Sequence, residues 1–401
     1  MKKLIALVLC LVMVASLAVG CGTGVTNTDT DSNVKVGFIF LHDEQSTYDK
    51  NFIDAAKAAC EKMGVTMVQK TQIPESNACY DAAKELIEVE ECDIIFADSF
   101  GHESFLMKAA QEYPDVEFCH ATGTQAHTAG LKNFHNTFAS IYEGRYMAGV
   151  VDGLKLNEMI EAEKITKDQA KMGYVGAFTF AEVMSGYTSF YLGAKSVCPS
   201  VKMDVKFTGS WYDEEKEKQA ALALIDGGCV LISQHADSMG APTACENKGI
   251  PNVSYNGSTA AACPETFLIS SRINWAPYFE YMITQVKEGK EIAVDWVGTL
   301  ENGAVMLTEL GKNVAAGTAD KLELVKKDLK SGAINVFDTR NFTVKGETLT
   351  SYKADVDFDK DYAKDTEVIE NGVFYESKFR SGPYFDLEID GITLLDRNYG
   401  D

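Results

Sequence analysis

The sequence has few basic residues for its acidic content, and this shortage limits the partners that the protein can bind. Of 401 residues, 59 are Asp or Glu and only 37 are Lys or Arg, which gives a formal net charge of −22 at pH 7. Such a surface repels the phosphates of nucleic acids and anionic lipids and favours solubility. We therefore expect no nucleic acid among the partners.

Several motifs that identify enzymes or metal sites are also missing. No C-x-x-C pair occurs, which argues against zinc ribbons and thioredoxin-type redox sites. Glycine-rich phosphate loops of the forms G-x-G-x-x-G and G-x-x-x-x-G-K are absent, which disfavours an enzyme that consumes nucleotides. We expect no catalytic residue, no bound metal and no cofactor.

The only hydrophobic run long enough to matter for a membrane lies at the N-terminus. Lys2 and Lys3 precede an apolar run that ends at Gly20, so residues 1–20 predict a secretory signal peptide rather than a spanning helix. Residues 17–21 resemble a bacterial lipobox, although Ala18 stands where Leu is preferred, and the resemblance implies lipidation of Cys21. Residues 21–33 are mostly polar and predict a lipidated tether of at most about 40 Å. The expected location is the extracytoplasmic face of the cell membrane, with a lipid anchor.

Ten cysteines are present, and eight remain when Cys10 leaves with the signal peptide and Cys21 becomes the anchor. Several of the eight lie inside apolar patterns, as Cys60 does after two alanines, where a buried thiol acts as a small hydrophobic group. We expect mostly free, buried thiols. A disulfide between Cys245 and Cys263 is the alternative in an oxidising compartment.

The rest of the chain alternates predicted strands and helices in two successive sets. Residues 34–160 form lobe 1 and residues 161–270 form lobe 2, separated by a charged interval that begins at Glu161. Alternation at this spacing predicts parallel strands joined by right-handed helical crossovers. We assign residues 271–335 to a hinge return that completes both lobes, and residues 336–401 to a C-terminal appendix packed on one lobe. The predicted fold class is α/β, with two doubly wound parallel-sheet lobes.

Two open parallel sheets whose carboxyl ends face each other form a cleft between the lobes, where ligands bind. Polar and aromatic residues follow the predicted strands at these ends. The candidate ligand-binding residues in these loops are Tyr48, Ser99, Phe100, Phe178, Trp211, His235, Asp237 and Asn256. Aromatic faces beside a few hydrogen-bonding groups suit a flat heterocycle.

Each candidate has a structural alternative. Asp43, Ser46 and Asp213 stand where helix N-caps are common. Phe178 and Trp211 could instead fill the core between the lobes. His235 with Asp237 suggests an imidazole oriented by a carboxylate, but no nucleophile stands beside them, which disfavours hydrolase chemistry.

Five segments in these loops carry a family resemblance when they are taken together and in order: Ser46–Asp49, Ile141–Gly149, Ser210–Asp213, Gln234–Ser238 and Asn274–Tyr278. With them the chain resembles the basic membrane protein (Bmp, Med-like) family, substrate-binding lipoproteins of ABC importers that include purine nucleoside receptors. The resemblance implies a type I periplasmic-binding-protein-like fold with a base stacked between aromatic residues of both lobes. It gives that role to Tyr48 and to Phe178 or Trp211, and it adds Trp275 to the candidates.

The chain departs from the family pattern where ribose is held. Nucleoside-binding relatives carry an Asp where this chain has Asn256, and a Lys where it has residues 273–275 without one. The resemblance therefore implies a purine base, a nucleoside or a similar planar heterocycle as ligand, with weight moved toward the free base. It also implies an ABC permease as partner, and we expect a monomer. The alternatives are a sensor that reports occupancy to a membrane signalling protein and a nucleoside-cleaving enzyme.

Overall fold

The computed structural model describes residues 34–357 and 363–397. The predicted signal peptide (residues 1–20), Cys21 and the tether (residues 21–33) lie outside the described residues. Among the residues that are described, no helix combines the length and the apolar character that a membrane span needs.

A six-stranded parallel sheet forms the centre of lobe 1, with the strand order β11-β5-β4-β3-β1-β2. Neighbouring residues of β3 enter separate hydrophobic cores, Ile95 on one face of the sheet and Phe96 on the other, so the strands are apolar throughout. Ser46 caps the first helix by accepting a hydrogen bond from the amide of Asp49. The bounds are β1 Lys35–Ile39, α1 Thr47–Met63, β2 Thr66–Lys70, α2 Asn77–Glu88, β3 Ile94–Ala97, α3 Glu103–Glu112, β4 Glu117–Ala121, α4 Ala126–Ala129, β5 Phe134–Ala139, α9 Ala276–Lys287 and β11 Asp295–Gly298.

A seven-stranded sheet forms the centre of lobe 2, with the order β12-β10-β9-β8-β6-β7-β17. Only β12 is antiparallel to its neighbour within the described sheet. Asp213 caps a helix by accepting a hydrogen bond from the amide of Lys216. The bounds are α5 Ile141–Glu161, β6 Lys171–Gly176, α6 Ala181–Val197, β7 Lys202–Phe207, α7 Glu214–Asp226, β8 Leu231–Gln234, α8 Gly240–Lys248, β9 Asn252–Tyr255, β10 Phe267–Ile273, β12 Val305–Leu307, α10 Thr318–Lys330 and β17 Ile392–Leu394.

Between β1 and β12 the described chain passes from one sheet to the other three times, at residues 139–141, 273–276 and 298–305. The predicted α/β class with two parallel-sheet lobes is confirmed. The position of α5 differs from the predicted boundary at residue 160, because this helix packs on α6 and β10 and so lies with lobe 2. Helix α9, in turn, packs against α1 of lobe 1.

The C-terminal segment, residues 336–397 without the undescribed 358–362, holds short antiparallel strand pairs and the edge strand β17. The bounds of the short strands are β13 Lys353–Ala354, β14 Thr366–Glu367, β15 Ile369–Glu370 and β16 Val373–Phe374. Its aromatic side chains pack together, with the rings of Phe337 and Phe385 stacked at 4.3 Å. The sequence predicts a segment packed on one lobe, but this segment contacts both. Ser381 donates to Asp295 in lobe 1, and Glu376 accepts from Ser185 in lobe 2.

All eight cysteines of the described residues are free and buried, including the pair Cys245 and Cys263. Burial raises the pKa of several of these thiols, for example that of Cys60 to about 11. Such thiols stay protonated at neutral pH and act as core residues.

The crossing of α5 and α6 leaves no room for side chains at its closest points. A Cβ atom on Gly149 would lie 1.9 Å from the carbonyl oxygen of Phe190, and one on Gly193 would lie 2.0 Å from that of Tyr146. Backbone atoms cannot yield as side chains can, so glycine is required at both positions.

We predict that Gly149→Ala lowers the free energy of unfolding by about 1 to 3 kcal/mol, because the added methyl group forces the two helices apart. The matched control is Gly144→Ala in the same helix, where the nearest atom to the added Cβ is a side-chain methyl of Val305 at 3.1 Å. Urea denaturation of both variants measures the difference. Equal stabilities of the two variants would contradict the role assigned to the crossing.

Glu376 is a buried carboxyl at the contact between the C-terminal segment and lobe 2. Burial raises its pKa to about 7, and the neighbouring carboxylates of Glu182 and Glu143 contribute to the shift. A carboxyl that binds its proton more tightly in the folded state stabilises the fold at low pH, and this contribution is lost as pH rises through about 7.

We predict that Glu376→Gln becomes more stable than the wild type as pH rises from 5 to 8. The gap should grow by about 3 kcal/mol, since one pKa unit corresponds to about 1.4 kcal/mol. Denaturation midpoints across this pH range measure it, with exposed Glu61→Gln on α1 as control. A gap that does not change with pH would show that Glu376 is ionised in the folded protein.

Candidate functional site

A small cavity lies between the lobes, at the carboxyl ends of the strands of both sheets. Loops after β1, β3 and β4 and the first turn of α1 contribute from lobe 1. Loops after β7 and β8, the first turn of α6 and the end of β9 contribute from lobe 2. The lining residues are Leu41, His42, Tyr48, Ser99, Phe100 and Thr122 from lobe 1, and Glu182, Trp211, His235, Asp237 and Tyr255 from lobe 2.

Direct contacts across the cleft close the lobes on each other. The amide and the hydroxyl of Thr47 both donate to the carbonyl oxygen of Asp237, each at 3.1 Å. The rings of His42 and Tyr212 lie 5.3 Å apart, with one ring from each lobe. The structure is therefore a closed arrangement in which the cavity is largely shielded from solvent.

Aromatic rings line much of the cavity. Trp211 enters it from lobe 2, and its outer side packs edge-on against Phe178 at 5.0 Å. Tyr48 enters it from lobe 1, and its hydroxyl donates to the carbonyl oxygen of Asp98 at 2.7 Å. With both rings fixed by other contacts, the cavity presents rigid apolar faces to a ligand.

His235 is oriented by a chain of hydrogen bonds that begins at a buried guanidinium. Arg145 donates to the hydroxyl oxygen of Tyr174 at 2.8 Å, so the proton of that hydroxyl is free to point toward Nδ1 of His235, 3.3 Å away. With Nδ1 as the acceptor, the Nε2 atom of His235 carries the ring proton and donates it to Oε1 of Glu182 at 3.1 Å. The imidazole is thus paired with Glu182 and not with Asp237, and the chain holds the Glu182 carboxylate in place at the cavity.

Carboxyl groups dominate the polar part of the site. Burial raises the pKa of Asp237 well above its usual range, and the nearby carboxylates, that of Glu217 first, raise it further. Burial and the neighbouring Asp49 likewise raise the pKa of Asp98, whose carbonyl oxygen accepts the hydrogen bond from Tyr48. A carboxyl group with a raised pKa binds a proton readily, so it can donate as well as accept a hydrogen bond, and the crowding of such groups disfavours an anionic ligand.

Six of the nine predicted ligand-binding residues come together at the cavity, namely Tyr48, Ser99, Phe100, Trp211, His235 and Asp237. Phe178 lies behind Trp211, and Asn256 is buried in a left-handed turn with φ of 61°. Trp275 lies in the core of lobe 1, where its ring stacks on Phe52 at 4.2 Å. These three residues support the walls and do not line the cavity.

Five lining residues were not among the candidates: Leu41, His42, Thr122, Glu182 and Tyr255. His42 and Glu182 stand in loops that follow predicted strands, and this position is the sequence feature that could have identified them as lining residues. Thr122 adopts a left-handed backbone conformation with φ of 65° directly after β4, and no sequence pattern marks it. No cluster of three or more metal-binding side chains occurs in residues 34–357 and 363–397.

The fold has relatives of known structure. A solute-binding protein of an ABC transporter system from Aeropyrum pernix superposes with a TM-score of 0.63 at 18% identity, over 75% of this chain and 92% of that one. Another, from Conexibacter woesei, superposes with a TM-score of 0.61 at 18% identity, over 75% and 97%. At this identity the likeness establishes the fold, which is the predicted one.

Two curated proteins are more similar in sequence. A purine-binding protein of Brucella abortus is 32% identical over 310 residues, which cover 76% of this chain and 83% of that protein. A putative ABC transporter glucose-binding protein of Haloferax volcanii is 31% identical over 247 residues, which cover 62% of this chain and 59% of that one. The chain thus spans less than two thirds of the Haloferax protein.

The family model of the PnrA-like ABC transporter substrate-binding proteins, named Bmp, matches residues 34–339. That region includes every residue that lines the cavity and every strand of the two large sheets except β17. It ends before most of the C-terminal segment. The family consists of ABC transporter substrate-binding proteins, the two superposed structures are named as solute-binding proteins of ABC transporters, and ABC solute-binding proteins are extracytoplasmic. The chain therefore belongs to the Bmp family of ABC transporter substrate-binding proteins, as the five sequence segments predict.

Proposed function

We propose that the protein captures a purine base or nucleoside, or a similar planar heterocycle, in the cavity between its lobes and delivers it to an ABC permease in the membrane. The observation that carries this proposal is the pairing of rigid aromatic faces from both lobes with carboxyl acceptors at one small cavity. Tyr48 and Trp211 offer faces for a flat ring, and Glu182 and Asp237 offer hydrogen-bonding groups for its polar edge.

The relatives add support of unequal weight. The Brucella protein is named for purine binding, and a nucleoside-binding protein of Lactococcus lactis is 22% identical over 68% of this chain. The Haloferax protein is named for glucose binding, but its alignment covers less of both chains. We favour a purine ligand because the alignment with the Brucella protein covers more of both chains, and glucose belongs in any test panel.

The N-terminus completes the proposal for transport. Lipidation of Cys21 after removal of residues 1–20 would anchor the protein on the extracytoplasmic face, and residues 21–33 would give it about 40 Å of reach toward a permease. Metabolic labelling with a radioactive fatty acid tests this step. Incorporation that is lost in Cys21→Ala supports it, and unchanged incorporation contradicts it.

The ligand assignment is tested by calorimetry and thermal denaturation of the full chain with adenine, guanine, hypoxanthine, their nucleosides, a flavin and glucose. We expect saturable binding of at least one purine at one site per chain, with a rise in melting temperature that follows mass action. Binding of glucose without any purine would overturn the purine assignment. Binding of none of these compounds would overturn it as well.

We predict that Trp211→Ala weakens purine binding by about 1 to 3 kcal/mol, because the ligand loses a stacking face in a desolvated site. The matched control is Trp296→Ala, since Trp296 packs on Tyr278 at the far edge of the lobe 1 sheet and does not line the cavity. Calorimetric titration of both variants measures the effect. Unchanged affinity in Trp211→Ala would make Trp211 a core residue.

A further inference from the structure

A second compartment adjoins the cavity between the lobes. Phe100, Thr122 and Glu182 line both spaces, so the two lie side by side with these three residues at their common border. The residues that line only the second compartment are Thr124, Phe180, Ala181, Arg380 and Pro383. Neither the family resemblance nor the family-matched region, residues 34–339, accounts for the last two.

The C-terminal segment supplies this outer wall, and its backbone there is firmly held. The guanidinium of Arg380 donates to the carbonyl oxygens of Val356, Gly382 and Pro383 at 3.1 to 3.2 Å. Arg380 is only 6% exposed. These bonds hold the loop of residues 380–383 in one conformation, so the wall is a built feature of the fold.

The same loop is fastened to lobe 1. The amide and the hydroxyl of Ser381 both donate to Oδ1 of Asp295, at 2.7 and 2.6 Å. Gly382 packs so closely that a Cβ atom there would lie 2.6 Å from the carbonyl oxygen of Gly123. Since the loop is anchored on lobe 1 at this point and on lobe 2 through Glu376 and Ser185, it crosses the cleft beside the ligand cavity.

The chemistry of the compartment favours a neutral group with hydroxyls. Phe100, Phe180 and Pro383 offer apolar surfaces of the kind that pack against the C–H face of a sugar ring, and Glu182 accepts hydrogen bonds at its border. The positive charge of Arg380 faces the carboxylates of Asp355 and Glu103 and is committed to backbone carbonyls. A phosphate would meet Glu182 without a free cation, so an anionic substituent is disfavoured.

We propose that this compartment is a subsite for an uncharged, hydroxylated substituent of the heterocycle, such as a glycosyl group, and that residues 380–383 form its outer wall. The inference rests on the proposed purine function and deepens it. It gives the C-terminal segment a role in selecting between free bases and their neutral derivatives. This role would replace the ribose contacts that nucleoside-binding relatives make through an Asp at the position of Asn256 and through a Lys that this chain lacks.

The test fills the compartment from the side of α6. Ala181 is the first residue of that helix and lines only the second compartment, so Ala181→Leu should reduce its volume and leave the first cavity intact. We expect the affinity for adenosine and inosine to fall at least tenfold and that for adenine and hypoxanthine to change less than twofold. The matched control is Ala319→Leu, an exposed position in the first turn of α10, with no effect on either class.

A second variant enlarges the compartment instead of filling it, so the test does not depend on whether Ala181→Leu folds. Pro383→Ala removes part of the outer wall, and we expect a several-fold loss for nucleosides with bases unchanged. Calorimetric titration of the full chain with adenine, adenosine and adenosine monophosphate reads out both variants, and the monophosphate should bind at least tenfold more weakly than adenosine.

The outcomes separate this inference from the proposed function. Wild-type protein that binds purine bases, with nucleoside affinity either absent or equally affected in all variants, overturns the subsite and leaves the purine function standing. Tight binding of the monophosphate overturns the neutral character of the subsite. Wild-type protein that binds neither bases nor nucleosides overturns both proposals.

Discussion

The contact between Thr47 and the backbone of Asp237 fixes the distance between the two lobes, and the cavity depends on that distance. Two donors of one residue at the start of α1 share one carbonyl oxygen of the opposite lobe. Because Thr47 precedes Tyr48 and the amide of Asp237 donates to the carbonyl oxygen of Trp211, the contact brings together the segments that carry these two rings. Three chain crossings on the hinge side allow the lobes to separate, so this contact belongs to the closed state that retains a ligand.

Several acidic side chains are buried at the cavity, and raised pKa values or hydrogen-bond partners compensate for their burial. Asp237 and Asp98 have raised pKa values because burial and neighbouring carboxylates oppose their ionisation. Glu182 is held by the imidazole of His235, which is in turn oriented through Tyr174 by Arg145. Through these hydrogen bonds, the buried guanidinium of Arg145 helps to position the Glu182 carboxylate at the ligand site, which Arg145 itself does not line. A ligand that donates hydrogen bonds would relieve the crowding of acceptors, which a phosphate could not do.

Much of the architecture follows from local sequence, and the failures have long-range causes. Helix α3, Glu103–Glu112, can be predicted from local sequence, because its pattern depends only on neighbours in the chain. Strand β5 is hard to predict from sequence, since it buries His135 and Asn136, and these are tolerated only through partners on other elements, Glu117 and Glu103. Trp275 joins the core because α1 brings Phe52 beside it across more than 200 residues. The loop of residues 380–383 meets lobe 1 for the same kind of reason, and no periodicity in the sequence encodes such a contact.

The central claim is that the cavity between the lobes holds a purine-like heterocycle, and the ligand carried by the native protein tests it most directly. The measurement is mass spectrometry of small molecules released on denaturing protein that was purified without added ligand. We expect a purine base or nucleoside in near-stoichiometric amount, and a smaller amount in a Trp211→Ala preparation. A hexose in that amount, with no purine present, would contradict it.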